Sequence, residues 1–350
     1  MIKVLIVDDS RTARAALRAI LERDSEILVV GEASTSHETM ALIHRFDPHF
    51  VTMDIYLGPE NGLDLTRRIM TEAPRPILVI TGVSPNDPEL GYQAIERGAL
   101  DVFPKPPGPM HSNYATQSAK LVRLVKTLSK VPVLHQRRRK SVTVHPPIFT
   151  APFEKQGVIV TSKQPIDLLL IGASTGGPPV ISGVLERLKR PCPIPIVVIQ
   201  HITSGFAAGF SDWLSHTTGH PTHLVNESVS LRSGTVYIPM DDTNLVFTSA
   251  NIVRAVEEPN TRGPKPNIDR LFLSAAKHSR ARTLALVLTG MGSDGAEGLA
   301  ALKSAGATVA VQEPSSCAVD SMPRSALAGG ASICLTPAQM VLFIDQRLSK

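Results

Sequence analysis

Ile171-Gly172-Ala173-Ser174-Thr175-Gly176-Gly177 joins two segments of different period. Before it, Pro165-Ile166-Asp167-Leu168-Leu169-Leu170 is an apolar run of strand length. After it, Val180-Ile181, Val184-Leu185 and Leu188 recur at helical intervals. The stretch reads as a sharp turn from a buried strand into a helix, with glycines that permit positive φ and close approach. Such a turn exposes the Ser174 hydroxyl at the strand's carboxyl end and aims helix N-terminal amides at any nearby negative charge. A nucleophilic serine and a phosphate cradle both use this geometry, and the glycine spacing alone does not choose between them.

The chain around this turn has 350 residues, enough for two domains, and 43% of them are hydrophobic. No apolar run approaches the length of a membrane span, so no membrane insertion is expected. The N-terminus, Met1 to Asp9, is too short and too acidic at its end for a signal peptide. Cys192, Cys317 and Cys334 are odd in number and scattered, which points to reduced thiols in a cytoplasm. The net charge is +5. Between residues 131 and 165 six basic residues (Arg137, Arg138, Arg139, Lys140, Lys155, Lys163) face one acid, Glu154, so this segment accounts for the whole excess. A basic, proline-containing linker over 126–165 is expected, not a nucleic-acid-binding domain.

Residues 1–125 alternate strand signals (2–7, 27–30, 50–53, 77–80, 101–103) with helical patterns (13–21, 37–45, 63–70, 89–97, 115–128), which predicts a doubly wound parallel sheet. In such sheets the working site lies at the strands' carboxyl ends. There stand Asp8 and Asp9, Asp54, Thr81 and Lys105. Three converging carboxylates repel one another unless a hard cation sits among them, and Mg²⁺ with oxygen ligands fits. A lysine and a hydroxyl nearby can hold a phosphoryl group carried by Asp54. These residues make the segment resemble a receiver domain of two-component signalling, with a flavodoxin-like fold. The resemblance implies phosphorylation of Asp54 by a phosphodonor histidine kinase, Thr81 as switch hydroxyl, Lys105 as phosphate partner, and a cation held by Asp9, Asp54 and the Tyr56 carbonyl beside Asp8. Tyr56-Leu57-Gly58-Pro59-Glu60-Asn61-Gly62 departs from the usual Met-Pro, so an altered loop shape is expected.

Residues 166–350 repeat the alternation, with strands at 167–171, 194–200, 222–225, 283–289, 308–312 and 331–335, and helices at 206–215, 269–279, 296–305 and 338–347. Residues 235–239, 244–248 and 252–256 read as an antiparallel meander inserted into a Rossmann-like domain. A serine nucleophile needs a base and an acid that orients it. His201 closes the run Ile196–Gln200, and Asp294 follows Leu284–Leu288 in Thr289-Gly290-Met291-Gly292-Ser293-Asp294. His216, His220 and His223 crowd a region read as helix end and loop, and are expected at the surface. No acid closes the strand after the glycines, and no Gly-Lys-Ser/Thr occurs, which disfavours the dinucleotide and triphosphate readings. The order Ser–His–Asp also differs from that of α/β-hydrolases.

Ile-Gly-Ala-Ser-Thr-Gly-Gly-Pro (171–178), Val-Ile-Gln-His (198–201), Asn-Ile-Asp-Arg-Leu-Phe (267–272), Thr-Gly-Met-Gly-Ser-Asp-Gly-Ala (289–296), Val-Gln-Glu-Pro (311–314) and Ser-Met-Pro-Arg (321–324) make this half resemble the catalytic domain of the chemotaxis protein-glutamate methylesterases. That resemblance implies a triad of Ser174, His201 and Asp294 and an oxyanion-binding amide at Met291. It implies hydrolysis of glutamate γ-methyl esters on a methylated chemoreceptor cytoplasmic domain, deamidation of glutamine as an accessory activity, and restraint by the receiver until Asp54 is phosphorylated. Hydrolysis itself would need no cofactor, and a monomer is expected. A non-catalytic regulator whose output domain binds a receptor or an anionic ligand is the competing reading. Two segments depart from the family pattern: 238–244 lacks a histidine, and 265–269 reads Lys-Pro-Asn-Ile-Asp. Both are expected to bear on specificity.

Overall fold

The computed structural model describes residues 1–82, 90–131, 133, 165–258, 263–278 and 282–348. The chain divides into two compact units, Met1–Pro147 and Ile148–Lys350. The Arg137–Lys140 run lies outside the described residues.

The first unit runs β1 (Ile2–Val7), α1 (Arg11–Leu21), β2 (Ile27–Ala33), α2 (Ser36–Phe46), β3 (Phe50–Met53), β4 (Tyr56–Leu57), β5 (Glu60–Asn61), α3 (Gly62–Glu72), β6 (Ile77–Thr81), α4 (Leu90–Glu96), β7 (Asp101–Pro104) and α5 (Tyr114–Leu128). Its parallel sheet has the order β2-β1-β3-β6-β7. Alternate residues of β1 enter opposite cores, Leu5 and Val7 on one face, Val4 and Ile6 on the other. That is why the strand is apolar at every position from Val4 to Val7 and not at every second one. The altered loop after Asp54 is a short antiparallel hairpin pairing Tyr56 with Asn61, with Gly58 at φ 62°. Asn61 then caps α3 through Leu63 N. Helix α5 continues past 125, and Leu128 is fully buried. The linker expected from 126 therefore begins as helix, because the apolar face of α5 still has core to cover.

The second unit runs β8 (Leu168–Ala173), α6 (Gly177–Leu185), β9 (Ile196–Gln200), α7 (Ala207–Thr218), β10 (Thr222–Val225), β11 (Ser228–Ser230), β12 (Val236–Pro239), β13 (Asn244–Ser249), β14 (Ile252–Val256), α8 (Ile268–Ala276), β15 (Thr283–Val287), α9 (Ala296–Ser304), β16 (Thr308–Gln312), α10 (Ser321–Ala328), β17 (Cys334–Leu335) and α11 (Pro337–Asp345). The main sheet has the order β10-β12-β9-β8-β15-β16-β17, and every pair within it is parallel. The chain leaves β8 toward β9 on one side and returns to β15 on the other, so the crevice at the carboxyl end of β8 is the topological switch point. This corrects the meander. Val236–Pro239 is buried throughout and joins the parallel sheet, while the antiparallel sheet is β11-β14-β13. A strand buried on both faces belongs inside a helix-covered sheet. His220 is likewise not a surface residue. It is 1% exposed, its ring Nε2 lies 3.0 Å from the Leu185 carbonyl oxygen, and burial pulls its pKa down.

Candidate active site and phosphoacceptor pocket

In the first unit Asp8, Asp9 and Asp54 converge, with one oxygen from each lying within 4.8 Å of the others. Lys105 Nζ lies 2.7 Å from Asp54 Oδ2 and 2.9 Å from Asp8 Oδ2. Burial pushes the Asp54 carboxyl up against the pull of Lys105. Burial works the other way on the lysine, but its bonds to Asp54 and Asp8 outweigh it and the ammonium is raised. One ammonium against three carboxylates leaves negative charge in excess, and an all-oxygen set fits a hard divalent cation. Thr81 is buried at the end of β6, and its carbonyl accepts the Lys105 amide at 2.9 Å, which puts hydroxyl and ammonium on neighbouring strand ends. Tyr56 is 51% exposed on the adjacent hairpin.

In the second unit Ser174 follows β8 and is 8% exposed. Its amide donates to Thr289 O at 3.0 Å, tying the turn to the end of β15, and its carbonyl accepts Gly177 N at 2.8 Å. Gly176 takes φ 74° at the start of α6, a conformation that side chains resist and the turn requires. Ala173 pairs with Gln200 in the β8–β9 register, so the next residues, Ser174 and His201, stand at adjacent strand ends. Adjacent strands lie roughly 4.8 Å apart.

His201 Nε2 lies 2.8 Å from Asp294 Oδ2. An ionised carboxylate only accepts, so the proton on this edge belongs to Nε2, and Nδ1 keeps its lone pair. Neither Nδ1 nor Ser174 Oγ has a protein partner among the described residues, and the two make no hydrogen bond to each other. Asp294 also accepts the amides of Ile268 (2.8 Å) and Asp269 (2.9 Å), the first two residues of α8. The third, Arg270 N, goes to Asn267 Oδ1. Burial pushes Asp294 up, but His201 and the two amides outweigh it and hold the carboxyl below its ordinary range. Asp294 thus serves the first two amides of α8, whose N-cap is Asn267, and not those of the α9 it precedes in sequence. Asp269, in α8, accepts Gly298 N of α9 at 2.7 Å. Burial and the nearby charge of Asp294 push Asp269 up to about 6.

Three consecutive amides follow in the loop after β15. Gly290 N donates to Val319 O (2.8 Å) and Gly292 N to Ser321 Oγ (3.0 Å). The Met291 amide between them has no protein acceptor among the described residues. The two departing segments meet nearby, where Asn267 N donates to Asn244 Oδ1 at 2.8 Å. Asp241 accepts Ala207 N at the start of α7 (3.2 Å), and Met240 is 41% exposed.

Sequence reasoning passed over Asp269, Thr289, Gln200 and Gln312 as parts of this site. Thr289 Oγ1 lies 3.0 Å from Thr175 O and 3.1 Å from Val319 O, and Gln312 Oε1 accepts Thr289 N at 2.9 Å. The available signal was a glutamine closing a run of buried apolar residues, which happens in both β9 and β16.

One unit with an acidic pocket and a lysine at its strand ends, and another with a serine at its switch point beside a His–Asp pair, make this a response regulator with an α/β output unit of hydrolase type. Residues 4–112 match the response regulator receiver domain family, and residues 169–344 match the CheB methylesterase family. The chain is 38% identical over 340 residues, 96% of each protein, to "Protein-glutamate methylesterase/protein-glutamine glutaminase 3" of Anaeromyxobacter dehalogenans. It is 35% identical over 344 residues, 98% of this chain and 97% of the other, to a like-named protein of Geobacter metallireducens. Among solved structures, the Thermotoga maritima CheB methylesterase catalytic domain is 28% identical with a TM-score of 0.49, covering 52% of this chain and 98% of that one. The chain belongs to the family of protein-glutamate methylesterases/protein-glutamine glutaminases.

Proposed function

We propose that this protein is a phosphorylation-activated esterase that removes methyl groups from glutamate γ-methyl esters of chemoreceptors. The observation that carries the mechanism is the His201–Asp294 bond through Nε2, which leaves Nδ1 unprotonated at the strand end next to Ser174. Side-chain rotation brings Ser174 Oγ to Nδ1, a contact that free enzymes often leave open. The serine oxygen attacks the ester carbonyl as its proton passes to Nδ1. Asp294, anchored by two helix amides, stabilises the imidazolium. The free Met291 amide donates to the oxyanion of the tetrahedral intermediate. The proton on Nδ1 then goes to the methoxide oxygen, methanol departs, and water, deprotonated by the same nitrogen, releases glutamate from the acyl-serine. A glutamine side chain passes through the same intermediate with ammonia as the leaving group.

In the receiver, Asp54 accepts the phosphoryl group from a phosphodonor histidine kinase, and Lys105 and Thr81 hold its oxygens. Asp8, Asp9, Asp54 and the Tyr56 carbonyl would hold Mg²⁺, which supplies charge neutralisation during transfer. Among the described residues no helix is long and apolar enough to cross a membrane. Ser174→Ala tests the reading. The substitution removes a single oxygen at a turn, while loss of a nucleophile costs about 10⁶-fold in one well-studied protease. Methanol release from methylated receptor domain is expected to vanish with folding intact. Near-parental release by folded protein would refute the assignment.

A further inference from the structure

Gln200 is the last residue of β9, and its side chain is 2% exposed. Its Nε2 donates to the carbonyl oxygens of Ser174 (2.8 Å) and His201 (3.1 Å). One carboxamide thus bridges the peptide units of the two residues read above as nucleophile and base. The orientation of the amide is fixed by chemistry, since an oxygen in place of Nε2 would face two acceptors. The other end pays no such dividend, because Oε1 is buried without a hydrogen-bond partner. It lies against Gly177, where a Cβ would come within 2.2 Å of it, so a glycine is required there to make room for the carboxamide. A buried acceptor left unpaired costs roughly 1–3 kcal/mol. Stability alone would favour an apolar side chain of the same shape, so the return must come from the two carbonyls that Nε2 holds.

We infer that Gln200 is a positioning residue for hydrolysis: it clamps the Ser174 turn to the His201 loop and fixes the separation of hydroxyl and imidazole. The inference rests on the proposed triad. A displacement of about 1 Å between reacting groups can lower a rate about 100-fold. Without the clamp, the hydrogen bonds that join the two strand ends among the described residues are backbone bonds, among them His201 N to Ala173 O at 3.0 Å.

The test uses the full-length protein with a small phosphodonor and methylated receptor domain. Gln200→Leu keeps the volume and removes the donors. It is expected to stay folded by circular dichroism, to lower kcat about 10- to 100-fold, and to leave KM within about twofold, because substrate does not touch the buried amide. Gln200→Glu keeps the shape but donates only when protonated. Burial lifts the pKa of such a carboxyl. Its activity is therefore expected to survive on the acid side and to fall as pH rises through that pKa, a descending limb that the parent lacks, with folding intact at each pH. Folded Gln200→Leu with parental kcat, or with KM raised and kcat unchanged, would overturn the inference. If Gln200→Leu does not fold, Gln200→Glu decides alone, and a parental pH profile sinks the idea. Residual hydrolysis in Ser174→Ala would strike at the triad instead, so the two failures are distinguishable.

Discussion

Asp294→Asn is the most informative single change, because the carboxamide cannot satisfy all three donors that the carboxylate accepts. Oδ2 receives both His201 Nε2 and Ile268 N, while Oδ1 receives Asp269 N. If the asparagine oxygen takes the Oδ2 position, the imidazole keeps its orientation and only the charge is lost. A unit charge about 4 Å from the forming imidazolium is worth roughly 4 kcal/mol at an effective dielectric constant of about 20, or some 10³-fold in rate. If the oxygen takes the Oδ1 position, the amide faces Nε2, the ring must put its proton on Nδ1, and Ser174 loses its base. That wrong tautomer lowers kcat about 10⁴-fold in a serine protease. Both rotamers therefore predict a fall in kcat of about three to four powers of ten. Either leaves at least one amide at the start of α8 facing a donor, at roughly 1–3 kcal/mol. Methanol release at saturating phosphodonor, alongside thermal melting, measures both. A folded variant with kcat within tenfold of the parent would refute the role given to Asp294.

Asp54→Asn is expected to abolish stimulation by phosphodonor and to spare basal hydrolysis, because the amide cannot accept a phosphoryl group; stimulation that persists would locate the acceptor elsewhere. The folded Asp269 carboxyl is raised from 3.8 to about 6, so its contribution to stability is fully present below about 3.8 and lost as pH climbs to about 6. Asn at 269 can still accept Gly298 N but does not titrate, so the melting temperature of Asp269→Asn relative to the parent is expected to rise across that window, and a flat difference would contradict it. Replacing Arg137, Arg138, Arg139 and Lys140 together by serine is expected to leave hydrolysis unchanged. Filter binding that detects tight DNA association lost in that quadruple variant would contradict the spacer reading of the segment.

Strand ends were the legible part of this protein. β8, β9 and β15 are apolar runs that stop at a glycine turn, a histidine and a glycine-rich loop, so Ser174, His201 and Asp294 could be picked out by position alone. What they hold was not legible. Asp294 lies just before α9 in the chain, and only tertiary packing brings it to the first two amides of α8. Val236–Pro239 looked like a meander because its sequence neighbours are short β segments, whereas its burial on both faces belongs to the parallel sheet. His220 was misread because Thr218, Gly219 and Pro221 signal a turn, and nothing local marks the Leu185 carbonyl that receives it. Gln200 and Gln312 stood inside quoted motifs, but a glutamine's reach across a crevice depends on a register no linear pattern contains.

The exchanged carboxylates of α8 and α9 tie chemistry to assembly. Asp294 holds the start of α8 and Asp269 reaches the first turn of α9. Asn267 caps α8 locally, but the first two amides of α8 and the Gly298 amide of α9 find their acceptors only on the other helix's side, so these contacts exist only once the two have docked. On the proposed mechanism, a chain that had regained its helices without seating α8 on α9 would own every residue of the site and no working imidazole. On that same mechanism, local opening of either helix start would switch the chemistry off before the sheet had lost a single strand.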